Sequence, residues 1–199
     1  MAKEGIPYVL FPMLASMLFG YFDIWSAAAI FALLAGFMIY FFRDPHREVP
    51  REPGIIVSAA DGRVTRIEEL PEGKLISIFM SPLDVHINRS PIAGEIVSVD
   101  YIPGRKAPAT SDNASLTNER NTLVIRGEGI EISVTQIAGI LARRIVCWYG
   151  KGSLLERGQR FGLIKFSSRT DVKLPANAEI TVRVGEHVKG GQTVIARLD

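Results

Sequence analysis

Residues 5–42 hold a single charged side chain, Asp23, which separates two apolar runs at residues 5–22 and 24–42. Each run approaches the roughly 20 residues that a helix needs to cross the hydrocarbon core of a bilayer. A cleaved signal peptide is disfavoured, because the block is too long and no small-residue cleavage site follows it. The pattern therefore predicts an N-terminal transmembrane helical hairpin over residues 1–43.

Positive charges flank this hairpin on both sides. Lys3 precedes the first run, and Arg43, Arg47 and Arg51 follow the second. The positive-inside rule then places both ends in the cytoplasm. The expected location is the cell membrane, with residues 44–199 forming a domain that faces the cytoplasm. The net charge is only +2 and the basic residues are dispersed, so a nucleic-acid partner is not expected.

The remainder of the chain shows a β pattern. Residues 43–54 combine three prolines with several charges, which is typical of a linker. Beyond Gly54, short alternating or β-branched runs are separated by glycine and proline turns. These runs are IIVSA, GRVTRIEEL, KLISIFM, GEIVSVDYI, NTLVIRG, IEISVTQI, RRIVCWY, LIKF, DVKLP, EITVRV and TVIARL. No long amphipathic helix interrupts them, so the predicted domain is mostly β.

Two segments of this domain, residues 152–166 and 185–198, repeat one pattern. Each begins at a glycine, reaches a second glycine followed by glutamine, and ends in a β-run. Such hairpins resemble those of barrel-sandwich folds of the biotinyl and lipoyl type, which gives the predicted fold class. The lysine-bearing hairpin tip that would carry biotin or lipoate is missing, so a carrier role is disfavoured.

Few residues offer chemistry. His86 lies between two Ser-Pro dipeptides that hold a short extended segment, and Asp61 lies in an Ala-Asp-Gly turn. Either could be structural, since histidines are often satisfied internally and turn aspartates bond their own backbone. Ser167 and Ser168 follow a β-run directly. A serine hydroxyl beside a strained carbonyl can attack it, and a base can then eliminate across the serine Cα–Cβ bond.

That reaction cleaves the chain and leaves a pyruvoyl group at the new N-terminus. A pyruvoyl carbonyl forms a Schiff base with an amine and accepts the electrons released by loss of CO2, as pyridoxal phosphate does in other enzymes. A chain with a serine in such a position and a nearby base could therefore form a pyruvoyl group. Most Ser-Ser pairs at strand ends are, however, ordinary hydroxyls.

Four blocks in this order resemble the short form of the phosphatidylserine decarboxylase family, which includes archaeal relatives thought to act on archaetidylserine. The blocks are SAADGRV, MSPLDVHINRSPIAG, NERN and the run from QIAGILARRIVCWYG to GLIKFSSRTDVKLP. The resemblance extends over nearly all of residues 43–199. It implies a self-cleaving proenzyme that removes the serine carboxylate of a membrane aminophospholipid.

The resemblance also assigns roles to individual residues. It makes Ser168 the precursor of the pyruvoyl cofactor, with neither a metal nor pyridoxal phosphate, and the bond between Ser167 and Ser168 the cleavage point. It makes Asp61 and His86 the acid–base partners. Because an ordinary carboxyl pKa of about 4 is far from neutral, we expect Asp61 to orient the imidazole of His86. The fragments 1–167 and 168–199 should stay associated, and the oligomeric state is left open.

The chain departs from the family pattern at two positions. Ser167 replaces the usual glycine before the reactive serine, and Arg89 replaces a second histidine of longer members. We predict that Arg89, together with Asn118 and Arg120 beside a long polar stretch at residues 103–121, binds the substrate, with Arg89 a candidate for the lipid phosphate.

Two other functions stay open on sequence alone. One is a membrane-anchored serine hydrolase with Ser167 or Ser168 as nucleophile and Lys165 as base, since Lys165 and Ser167 could share one face of a strand. The other is a non-enzymatic adaptor that uses its hairpins for protein contacts. Intact mass identifies the decarboxylase, because only the decarboxylase cleaves itself, and labelling of Ser167 or Ser168 by a serine-directed inhibitor identifies the hydrolase.

Overall fold

The computed structural model describes residues 1–104, 117–139, 144–166 and 168–198. The chain divides into two compact units, Met1–His46 and Arg47–Asp199. In the first unit a short 3-10 turn, Lys3–Gly5, leads into helix α1 (Ile6–Tyr21), and α2 (Trp25–Phe41) follows. The reversal occurs at Asp23, whose φ of 58° is left-handed, a conformation that aspartate tolerates better than most residues.

The two helices pack along their length. Ser16 Oγ donates to the carbonyl of Ala28 at 2.8 Å, and the rings of Phe19 and Phe31 stack with centroids 5.4 Å apart. Many large apolar side chains point outward, with Leu33 76% exposed. The predicted helical hairpin is present, but neither described helix combines the length and apolar character that a membrane crossing needs.

The second unit is mostly β, as predicted. Its strands are β1 Ile55–Val57, β2 Gly62–Leu70, β3 Gly73–Met80, β4 Ile87–Arg89, β5 Gly94–Ile102, β6 Arg120–Gly127, β7 Ile130–Ala138, β8 Arg144–Cys147, β9 Leu154–Leu155, β10 Arg160–Lys165, β11 Ser168–Leu174, β12 Ala178–Ile180, β13 His187–Val188 and β14 Val194–Leu198. They form an eight-stranded sheet in the order β13-β2-β3-β11-β7-β6-β5-β9 and two three-stranded sheets, β1-β14-β12 and β4-β10-β8. All the pairings are antiparallel.

Alternating apolar residues place the core on one face of the large sheet. Ile78, Val134 and Val172 are fully buried on neighbouring strands, and they belong to one continuous hydrophobic cluster. Strand β11 lies between β3 and β7, so both of its edges are hydrogen-bonded. Its first residue, Ser168, is therefore fixed by pairing on both sides.

The two repeated segments do not form self-paired hairpins. In residues 152–166, β9 joins the large sheet while β10 joins β4 and β8. In residues 185–198, β13 joins the large sheet while β14 joins β1 and β12. Each repeat thus links the large sheet to one of the small sheets, which explains why the same turn chemistry occurs twice.

The strand predictions err in three places. Strand β4 has only three residues and a polar sequence, and β9 and β13 have two each, so none carries enough alternation to be detected. The start of the run TQIAGILARRI belongs to β7, which ends at Ala138, and residues 140–143 of this run lie outside the described part. Residues 105–116 of the predicted polar loop also lie outside it.

Candidate active site

Ser168 opens strand β11 in the interior of the domain. It pairs with Met80 on β3 and Ala138 on β7, and it is fully buried. Its hydroxyl donates to Met80 Sδ at 3.4 Å. A thioether is a weak acceptor, so this contact does not hold the hydroxyl in one rotamer.

A left-handed residue stands two positions before Ser168. Strand β10 ends at Lys165, and Phe166 has a φ of 65°. For an aromatic side chain such a conformation costs about 1–3 kcal/mol. Ser167, which completes the predicted cleavage point, lies outside the described residues. Phe166, the residue just before Ser167, is therefore held in a strained conformation.

His86 lies just before β4, at the end of a turn that is held by hydrogen bonds. Asp84 accepts hydrogen bonds at one carboxylate oxygen, Oδ2, from the Ser81 backbone at 2.8 Å and from its hydroxyl at 2.7 Å. His86 is almost fully buried, and its Nδ1 lies 3.0 Å from the carbonyl oxygen of Asp84. A carbonyl can only accept, so Nδ1 carries a proton, and in the neutral form of the ring the lone pair lies on Nε2. That tautomer can serve as a base.

A buried amide joins the segment of His86 to the strand of Ser168. Asn88 Nδ2 donates to Thr170 Oγ1 at 2.9 Å, and Gln136 Nε2 donates to Asn88 Oδ1 at 2.9 Å. Side chains two residues apart on a strand share a face. His86 lies two residues before Asn88, and Ser168 lies two residues before Thr170. The hydrogen bond between Asn88 and Thr170 therefore holds together the two segments that carry the predicted catalytic residues.

Asp61 lies in the turn between β1 and β2, and both of its carboxylate oxygens are engaged. Oδ2 lies 2.7 Å from Arg47 Nη2, and Oδ1 accepts from the Gly190 amide at 2.8 Å. Burial raises the pKa of Asp61 more than these two partners lower it, and the nearby Asp84 carboxylate adds to the rise. The expected contact with the imidazole of His86 is not one of these bonds.

The three predicted substrate-binding residues occupy different positions. Arg89 is buried and donates through Nη1 to the Gly158 carbonyl at 3.0 Å. Asn118 donates to the carbonyl of Ala138, the residue paired with Ser168, at 2.7 Å, so it lies near the predicted site. Arg120 pairs with Ile137, and this register places it on the face of the sheet opposite to Ser168.

Sequence reasoning missed several polar residues that the fold brings to this region. Arg47 was counted only as a linker charge, yet its side chain is 6% exposed. His187 Nε2 lies 2.9 Å from Asp84 Oδ1. Asn88 and Gln136 also went unnoticed. The one available signal was the position of Gln136 in line with Ile132 and Val134 on one face of its strand, where a polar side chain needs a partner.

Comparison with known proteins bears directly on this site. Residues 34–196 match the family model described as phosphatidylserine decarboxylase. A phosphatidylserine decarboxylase proenzyme of Symbiobacterium thermophilum is 48% identical, over 99% of this chain and 95% of that protein. Proenzymes of the same description from Oleidesulfovibrio alaskensis and Nitratidesulfovibrio vulgaris are each 44% identical, over 97% and 98% of this chain and 92% and 93% of their own lengths. As the sequence motifs predicted, the chain belongs to the phosphatidylserine decarboxylase family.

Proposed function

We propose that this chain is a proenzyme that cleaves itself between Ser167 and Ser168 and then decarboxylates the serine head group of phosphatidylserine, or of the archaetidyl equivalent. The relatives named above support the reaction class. The observation that carries the assignment to this residue is the environment of Ser168, a buried hydroxyl with a weak acceptor that lies two residues after the left-handed Phe166.

Self-cleavage proceeds in two steps at the bond between residues 167 and 168. The Ser168 hydroxyl attacks the carbonyl carbon of residue 167, and the C–N bond breaks as the ester forms. A base then removes the Cα proton of Ser168, the Cβ–Oγ bond breaks, and residue 167 leaves as a carboxylate. The dehydroalanine that results takes up water and releases ammonia, which gives the pyruvoyl group. His86, with its lone pair on Nε2, is the proposed base.

The residues around position 168 fit a pyruvoyl group. Met80 and Ala138, its partners on the adjacent strands, are fully buried and apolar, which keeps water from an electrophilic ketone. When formed, the group supplies a carbonyl that condenses with the substrate amine and accepts the electron pair left by CO2. Asn118 and Arg89 are the proposed substrate-binding side chains. His86, protonated on Nε2, would return a proton to the substrate carbon.

The cleaved pieces should remain together without a covalent link. In the fragment 168–199, β11 lies between β3 and β7, and β14 lies between β1 and β12. The fragment also supplies the Gly190 amide to Asp61 and His187 to Asp84. Its removal would break a central strand of the sheet.

Intact mass of the purified protein tests the proposal. We expect two chains, 1–167 and 168–199, with the smaller one blocked at its N-terminus by pyruvoyl. Ser168→Ala should give only the full-length chain, whereas the control Ser167→Gly, which restores the family residue, should still cleave. Active enzyme that remains one uncleaved chain would refute the proposal. Labelling of position 168 by a serine-directed inhibitor would favour the hydrolase instead.

We further propose that the α1–α2 hairpin anchors the chain in the cell membrane, with residues 44–199 in the cytoplasm. The support is the outward apolar surface of the hairpin, where Phe11 is 72% and Leu33 76% exposed. Reporter fusions at the C-terminus test this orientation. Activity of the fusion only on the outer side of the membrane would contradict it.

A further inference from the structure

Arg47 is the first residue of the second compact unit, and it makes a buried ion pair. Its Nη2 lies 2.7 Å from Asp61 Oδ2, and the two side chains are 6% and 10% exposed. Its Nη1 donates to Gln192 Oε1 at 3.1 Å. One guanidinium therefore joins the linker, the β1–β2 turn and the C-terminal fragment.

The turn that carries Asp61 also supports the strand that follows His86. The Ala59 carbonyl accepts from the Arg89 backbone amide at 2.9 Å, and Ser58 Oγ donates to the Ala60 carbonyl at 2.7 Å. The turn is thus tied to β4 on one side and to Arg47 on the other. A change in the position of Asp61 would be transmitted to β4, and through it to His86.

Among the groups around Asp61, Arg47 does most to favour the ionised carboxylate. Burial raises the pKa of Asp61, and Arg47 and the Gly190 amide oppose that rise. The Asp84 carboxylate, which itself pairs with His187, raises it further. Without the guanidinium, the carboxyl would keep one neutral donor and would face another anion, so protonation would become easier.

We infer that Arg47 is a positioning residue for self-cleavage: its ion pair with Asp61 fixes the turn that supports the His86 segment. This inference rests on the proposed function, because self-cleavage is the step it controls. It assigns Asp61 a structural and electrostatic role rather than proton transfer. It also makes the juxtamembrane linker part of the machinery that matures the enzyme.

A simpler role for Arg47 is to dock the linker, and a second arginine separates the two possibilities. Arg157 donates through Nη1 to the backbone carbonyls of Pro50 at 3.3 Å and Glu52 at 2.7 Å, and it pairs with Glu128 at 2.7 Å. Arg157 therefore holds the same linker but makes no contact with Asp61. Its loss should loosen the linker and leave the charge on Asp61 unchanged.

The test follows self-cleavage of freshly translated full-length chain from pH 5 to pH 9 by gel. In Arg47→Met we expect self-cleavage at pH 7 to be at least about tenfold slower than in wild type. The pH below which the self-cleavage rate falls should move about 1–3 units upward. Arg47→Lys, which keeps the charge, should restore most of the shift, and Arg157→Met should leave the profile in place. An unshifted profile in Arg47→Met, or an equal shift in Arg157→Met, would overturn the inference.

A second measurement does not depend on cleavage. In the uncleaved Ser168→Ala chain, melting temperatures of Arg47→Met, Asp61→Asn and the double variant form a cycle. We expect the double variant to melt close to the Arg47→Met single variant, because both remove the same pair. Additive losses would overturn the inference even if wild type matures normally. If wild type does not cleave itself but the losses in melting temperature are non-additive, only the proposed function would be refuted.

Discussion

Replacement of Asn88 by alanine should be among the most damaging single changes in the domain. The Asn88 amide bonds Thr170 Oγ1 and Gln136 Nε2, both at 2.9 Å, and all three residues are fully buried. Truncation leaves the Gln136 donor without its acceptor and removes the donor to Thr170. A buried polar group left unsatisfied costs about 1–3 kcal/mol, so two give an expected loss of about 2–6 kcal/mol.

The assay is urea unfolding of the full-length Ser168→Ala chain in detergent, followed by near-ultraviolet circular dichroism. The control is Thr122→Val, which removes a partly buried hydroxyl pair between Thr122 and Thr135 at 3.0 Å on the same sheet. We expect the control to lose less than about 1 kcal/mol, because water can replace its bond. A loss below about 1 kcal/mol for Asn88→Ala would refute the view that the network holds the two segments together.

Three further outcomes are expected. His86→Ala should block self-cleavage or leave little turnover, and normal CO2 release per mole of pyruvoyl would remove His86 from decarboxylation. Hydrogen bonds from Ser81 and His187 outweigh burial and lower the pKa of Asp84. The ionised Asp84 carboxylate should therefore stabilise the fold above about pH 4, and this stabilisation should be lost as pH falls through the pKa that Asp84 has in the folded state. In Asp84→Asn, the melting temperature should depend less on pH in this acidic range. A Cβ at Gly62 would clash with the carbonyl oxygen of Phe79, so Gly62→Ala should lower the melting temperature far more than Gly185→Ala, where the left-handed φ is the only source of strain.

Much of the candidate site could be predicted because its residues lie in local motifs. Ser168, His86 and Asp61 each occur in a short segment whose turn or strand context is visible in the sequence. The structure places Ser168 at the start of a paired strand and His86 at the end of a fixed turn. Their roles stay predictions, since a fold positions side chains without revealing which of them transfers a proton.

The sequence by itself determined the helical hairpin and the mostly β character of the domain, because both depend on the local period of apolar residues. It could not determine the partners of Asp61. The Gly190 amide that donates to Asp61 lies 129 positions away in the chain, and no local pattern encodes such a contact. Only the tertiary structure decided that Arg47 of the linker is buried and pairs with the Asp61 carboxylate. A charge in the low-dielectric interior is tolerated only where the fold supplies an opposite charge.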